Sequence, residues 1–173
     1  DERNQFYSSQ DGVLFNKTQT KLIRYPAGKT NTSYTIPSSV TSIGDFAFAG
    51  CTSLVDIDMS NNIERIHSLA FARCESLTSV EIPNSVTHIE PYTFYGCKSL
   101  TSVTINSNNI IGIGDPFEGC TSLTSIKWNV IECEDDYCSQ TPFYSIKDQI
   151  NNITFGSNIK SIPSYLCCGL SNL

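Results

Sequence analysis

Eight cysteines, two histidines and a few closely spaced carboxylates are the residues of this 173-residue chain with chemistry to offer. Cys51, Cys74, Cys97 and Cys120 recur at one interval of 23 residues, Cys133 and Cys138 lie close together, and Cys167 and Cys168 are adjacent. Zinc needs several thiolates converging on one point, and no close CxxC pair is present, so no metal ligand is assigned. His67 and His88 occupy different places in their units and are expected to be exposed, each without a nucleophile or a carboxylate relay. No GxSxG, HExxH, P-loop or GxGxxG stretch occurs. Asp56, Asp58 and Glu81 could pair as carboxylates only where desolvation separated their pKa values, and an open strand surface offers none. The expectation is a protein without catalytic residues, cofactor or metal.

The constant cysteine interval is part of a longer repeat. Between Ile36 and Trp128 the chain reads IPSSVTSIGDFAFAGCTSL, SNNIERIHSLAFARCESL, PNSVTHIEPYTFYGCKSL and NSNNIIGIGDPFEGCTSL. A period in the range of about 20–29 residues, with apolar residues at fixed places, marks a solenoid whose units bury their hydrophobic faces against one another.

Each unit changes character along its length. In Leu77-Thr78-Ser79-Val80-Glu81-Ile82 the apolar residues alternate as in a half-buried strand, and the same places hold Leu54, Ile57 and Met59, then Leu100, Val103 and Ile105, then Leu123, Ile126 and Trp128. A turn rich in Pro, Ser and Asn follows, and then an apolar pair such as Val86 and Ile89. The stretch after it, as at Ser68 to Arg73, has good helix formers but room for one or two turns, so a short outer helix is expected. Phe48, Phe71, Phe94 and Phe117 should point inward as a column beside the cysteines.

The wording IPxSVTxIxxxAFxGCxSLTSVxI resembles the BspA-like leucine-rich repeats of bacterial and protozoan surface proteins, and DGVLFN and TKLIRYPAGK resemble the usual opening of such arrays. The resemblance implies an extracellular or cell-surface protein, often an adhesin or host-matrix binder, with no catalytic motif to carry over. The expected fold is a leucine-rich repeat solenoid, with a parallel β-sheet on the concave side, short helices or turns on the convex side and an N-terminal β-hairpin cap.

Residues 1–35 read as the capping hairpin and first strand, with Gly12 to Phe15 and Leu22 to Tyr25 as its arms. Residues 36–128 hold the regular 23-residue repeats, although the unit through Asn106 to Cys120 shifts by a residue and recovers. Residues 129–149 form an irregular repeat in which Ile146 replaces the ladder cysteine and extra residues around Cys133 to Cys138 are looped out. Residues 150–173 form a last, incomplete repeat without a polar cap, as expected of a piece of a longer array or of a last layer covered by something else.

The four ladder cysteines read as small buried hydrophobes, because side chains in one column point the same way rather than at each other. Cys133 and Cys138, with nothing to bury them, are the candidate disulfide in an oxidising compartment. Cys167 falls in the phenylalanine column and is expected to be interior, with Cys168 directed outward. Asn16, Asn31 and Asn152 head glycosylation sequons.

Composition narrows the partners. Charged residues make up 16% and the net charge is −6, which argues against nucleic acid and anionic membranes. No apolar run approaches the roughly 18 residues needed to span a bilayer, so no direct membrane insertion is expected of this fragment. Asp1-Glu2-Arg3-Asn4 is too polar to begin a secretory signal, so any signal or anchor is removed or lies outside this chain.

Function should therefore reside on the strand face. Its outward positions form two rows, Ser33, Asp56, Ser79, Ser102, Ser125 and Asn152 beside Thr35, Asp58, Glu81, Thr104, Lys127 and Thr154, with Arg24 a candidate extension of the second. Asp56, Asp58 and Glu81 gather negative charge that a basic partner could relieve. The face lacks the exposed aromatics and arginines that anchor tight interfaces, and a solvated surface is the plainer reading. The expected function is adhesion or protein–protein interaction through this concave face, with a protein ligand such as host extracellular matrix or a cell-surface protein. The alternatives are an intracellular scaffold built from the same repeat and a purely structural segment of a larger protein.

Overall fold

The computed structural model describes residues 3–133, 142–163 and 165–173, and the structural statements below concern those residues. The chain opens with three strands, β1 (Tyr7–Gln10), β2 (Val13–Asn16) and β3 (Lys21–Arg24). Each coil then contributes a face strand and a short side strand. The first coils supply β4 (Ser33–Thr35), β5 (Ser42–Ile43), β6 (Asp56–Asp58), β7 (Arg65–Ile66), β8 (Ser79–Ile82) and β9 (His88–Ile89). The later ones supply β10 (Ser102–Ile105), β11 (Asn109–Ile110), β12 (Gly112–Ile113), β13 (Ser125–Trp128), β14 (Glu132–Cys133) and β15 (Asn152–Phe155).

The face strands stack in parallel at the period of the repeat. Ser79, Ser102, Ser125 and Asn152 are register partners along β8, β10, β13 and β15, and so are Glu81, Thr104, Lys127 and Thr154. The two-residue strands were not expected, since their apolar pairs read as turn residues. They form a second parallel ladder in which Leu22, Ile43, Ile66, Ile89 and Ile113 succeed one another. The N-terminal hairpin caps this side ladder, with β2 antiparallel to both β1 and β3. Strand β1 escaped the sequence because Tyr7 to Gln10 is exposed or half-buried and carries no apolar alternation.

Between the ladders runs a core of stacked columns. Tyr25, Phe48, Phe71, Phe94, Phe117 and Phe143 follow one another, and ring centroids from Phe48 to Phe117 are 4.9, 5.2 and 5.5 Å apart with interplanar angles of 13°, 5° and 11°. That spacing is close to the 4.7–4.9 Å strand separation of the sheet, so one ring per coil fills the column. The cysteine column lies beside it. Cys74, Cys97 and Cys120 direct their thiols at the carbonyls of Phe48, Phe71 and Phe94, at 3.2, 3.1 and 3.0 Å. A cysteine suits this place because it is small, apolar and still a weak donor. Cys167 occupies the phenylalanine place of the last coil but is exposed, contrary to the sequence reading, because no later coil of this chain lies over it.

Outer segments are tight turns rather than helices. An α-helix would send each N–H to the carbonyl four residues back. Here alternate N–H groups cross to the next coil instead: Phe48 to Ala70 at 2.7 Å, Phe71 to Thr93 at 2.8 Å and Phe94 to Pro116 at 2.8 Å. The groups between them close turns of three residues, as in Ala49 to Phe46 at 3.0 Å and Ala72 to Leu69 at 3.1 Å. Phe46, Leu69 and Tyr92 open these turns with φ of 55°, 57° and 61°, a left-handed conformation that interrupts helix formation. The helical residues described are the single 3-10 turn Tyr144–Ile146.

Candidate functional site

Strand alternation places the two polar rows on one surface. Ile57, Val80, Ile82, Val103, Ile105, Ile126 and Trp128 are buried, whereas Asp56, Asp58, Ser79, Glu81 and Lys127 are exposed and Ser102, Thr104 and Ser125 half-buried. Asn152 and Thr154 continue the rows on β15, both exposed, and Ser33 and Thr35 continue them on β4 opposite Asp56 and Asp58. Arg24 does not extend a row. It lies on β3 in the side ladder, and its guanidinium donates to the Phe46 carbonyl.

The face sheet is interrupted once. β4 and β6 pair as one two-stranded sheet and β8 to β15 as a four-stranded one. At the repeat register the break is where Asp58 would face Glu81, and like charges side by side on adjacent strands oppose close pairing. An open groove of about 830 Å³ lies across this break, lined by Asp56, Asp58, Glu81, Asn84 and Asn106 among others. Tyr34 also borders it, and burial, with smaller contributions from Tyr25 and Asp11, pushes its phenol up to about 12.

A chain of amides leads away from the acidic end. Asn106 Nδ2 donates to Glu81 Oε1 at 2.6 Å, and Asn129 Nδ2 donates to Asn106 Oδ1 at 2.7 Å. The carboxylate can only accept, so it fixes the orientation of both amides. The chain stops there, because the next coil has Gly156 in the following place, and any Cβ at that glycine would lie 2.5 Å from Asn129 Oδ1. A second groove of about 550 Å³ shares Asn84 and Asn106 with the first and runs on to Asn129 and Lys127. Arg65–Glu90, Glu75–Lys98 and Glu132–Lys160 pair their charges elsewhere, at 3.3, 2.8 and 2.5 Å.

Sites of other chemistry are not assembled. No group of three His, Cys, Asp or Glu side chains among the described residues is placed to hold a metal. His88 Nδ1 lies 2.9 Å from Thr87 Oγ1, but that hydroxyl is also donated to the Glu64 carbonyl at 3.2 Å. Cys133 is disulfide-bonded, and the expected pairing with Cys138 lies outside the described residues. Of the sequon asparagines, Asn16 is held by the hairpin turn, accepting from the Lys21 N–H at 2.9 Å and donating to Thr18 and Thr20. Asn31 is exposed, and Asn152 reaches Ser125 Oγ at 3.4 Å.

The amide chain escaped sequence reading because Asn106 and Asn129 fall just after their strands, where asparagine reads as turn chemistry. The signal available was their 23-residue separation in a column that holds Pro83 one coil earlier.

Parallel coils of this period, an open polar strand face and an apolar column core define a leucine-rich repeat solenoid. The chain belongs to the BspA type: the family model described as "BspA type Leucine rich repeat region (6 copies)" matches residues 27–131 and again 113–173. A comparison with the curated proteins returned no match. Among solved structures, a leucine-rich repeat protein from Eubacterium ventriosum superposes with a TM-score of 0.71 at 21% identity, over 96% of this chain and 48% of that one. A leucine rich cell surface protein from Faecalibacterium prausnitzii gives 0.70 at 27% identity, over 89% and 40%. The pneumococcal vaccine antigen PcpA gives 0.63 at 22%, over 94% and 49%. The chain thus spans half or less of the length of each. Leucine-rich repeat domains are in general non-enzymatic protein-interaction modules, and no helix described here is long and apolar enough to cross a membrane.

Proposed function

We propose that this chain is the non-enzymatic binding module of a cell-surface or secreted leucine-rich repeat protein, and that it mediates adhesion or protein–protein contact through its concave face. The observation that carries the reading is the open groove at the sheet interruption, which gathers the carboxylates of Asp56, Asp58 and Glu81, whereas Glu75, Glu90 and Glu132 each face a Lys or Arg in an ion pair. A protein partner with basic groups would relieve that repulsion on binding, which favours association without requiring a large apolar contact. The outward rows Ser79, Ser102, Thr104, Ser125, Lys127, Asn152 and Thr154 supply a hydrogen-bonding rim. The cell-surface relative from Faecalibacterium prausnitzii and the disulfide at Cys133 support an extracytoplasmic setting.

The test is binding of the secreted chain to immobilised extracellular-matrix proteins and host-cell surfaces, beside the triple variant Asp56→Asn, Asp58→Asn, Glu81→Gln. Salt-sensitive binding lost in the triple variant is expected. Binding that is unchanged in the triple variant, or absent from the whole panel, would overturn the reading.

A further inference from the structure

The groove is graded in charge along its length. Asp56 and Asp58 lie on one coil, Glu81 and Asn84 on the next and Asn106 on the one after; Lys127 and Asn129 share the fourth, beyond which Gly156, Ser157 and Asn158 complete the lining. Glu81, Thr104 and Lys127 are successive register partners, so the order of these charges is set by the fold itself. Three coils separate Asp58 from Lys127. At about 4.8 Å per strand this places opposite charges roughly 14 Å apart along the solenoid axis.

We propose that this groove takes an extended polypeptide segment lying across the strands, with a basic side chain over Asp56, Asp58 and Glu81 and an acidic one over Lys127. This rests on the concave-face reading given above and adds the partner's form and polarity. An extended chain advances about 3.3 Å per residue, so the two charged side chains are about four or five residues apart. Between the charged coils lie Thr104 and Asn106, whose hydroxyl and carboxamide each offer a donor and an acceptor to the N–H and C=O groups of a chain laid over them. Glu81 orients Asn106, and through it Asn129, before any partner arrives, so this part of the surface needs no reordering on binding.

The probes are synthetic unstructured peptides carrying two arginines and two glutamates, separated by one, four or eight serine and glycine residues, titrated against the intact chain at low salt. The four-residue spacing is expected to bind best. Lys127→Glu should weaken it by about five- to ten-fold, as expected of a surface charge made repulsive, and restore binding to the peptide whose glutamates are replaced by lysines. Circular dichroism of the variant controls for folding. Affinity that follows the number of arginines alone, indifferent to spacing and to Lys127→Glu, overturns this inference and leaves the concave-face reading standing. Failure of every peptide, with matrix proteins still bound and still sensitive to the triple variant, overturns it equally.

Discussion

Replacing Phe71 by leucine removes one ring from between two others and keeps an apolar side chain in the column. Phe71 is fully buried, with Phe48 at 4.9 Å and 13° on one side and Phe94 at 5.2 Å and 5° on the other. Each aromatic contact is worth about 0.5–1.5 kcal/mol beyond the area it buries, so Phe71→Leu should cost about 1–3 kcal/mol, and the small void left behind adds to the loss. Phe117 has its neighbours at 5.5 and 6.0 Å, so Phe117→Leu should fall toward the lower end of that range. Urea unfolding followed by circular dichroism measures both, and native-state hydrogen exchange shows where the loss falls. Coils of a solenoid touch only their neighbours, so the weakened amides for Phe71→Leu should be those of the coils carrying Phe48 and Phe94. A cost within about 0.5 kcal/mol, the range of surface substitutions, would refute the column as a source of stability. A larger cost at Phe117 than at Phe71 would refute the distance argument.

Three further outcomes follow from the packing. Gly114→Ala should destabilise strongly, because the added Cβ would lie 2.7 Å from Pro91 Cγ and 2.9 Å from its Cα; an unchanged thermal midpoint would contradict that approach. Iodoacetamide applied to the native protein should modify Cys167 and Cys168 but spare the ladder, and peptide mass mapping reads the pattern. The ladder thiols are buried and donated to backbone carbonyls within the stack, at 3.2 Å for Cys74 and 3.1 Å for Cys97, so the reagent does not reach them. Burial, and after it the Arg65 cation, holds His88 below the ordinary imidazole range, against a smaller opposing pull from Glu90. Neutral His88 is therefore favoured by folding. Its contribution is present above the unfolded value near pH 6.5 and is lost as pH falls through that value toward the folded one, so the urea midpoint should drop as pH falls below about 6.5, and less so in His88→Gln.

The period made the interior legible. Once Cys51 to Cys120 set a 23-residue unit, the places of Leu54, Ile57 and Phe48 had to recur, because each coil buries its apolar side only against the next. The outer turns misled because Ser68 to Arg73 carry helix formers, and propensity cannot register that alternate N–H groups are claimed by the adjacent coil. The side ladder was hidden in pairs such as Ser42 and Ile43, too short for an alternation to show. On the candidate face the outward rows could be read from alternation alone, but the break between β6 and β8 and the chain from Glu81 through Asn106 to Asn129 depend on which side chains meet between coils. Arg24 was misplaced for a related reason, since the hairpin arm that carries it joins the side ladder and not the face.

Carboxylate footprinting of the chain, alone and bound to a matrix protein drawn from the panel, tests the central claim most directly. Carbodiimide coupling read by mass spectrometry reports each exposed acid separately, and Asp45 and Glu118 on the outer turns serve as internal references. Binding through the concave face should protect Asp56, Asp58 and Glu81 and leave Asp45 and Glu118 as reactive as before. Protection at Asp45 and Glu118, with the groove acids still open to reagent, would move the binding surface to the convex side and contradict the account.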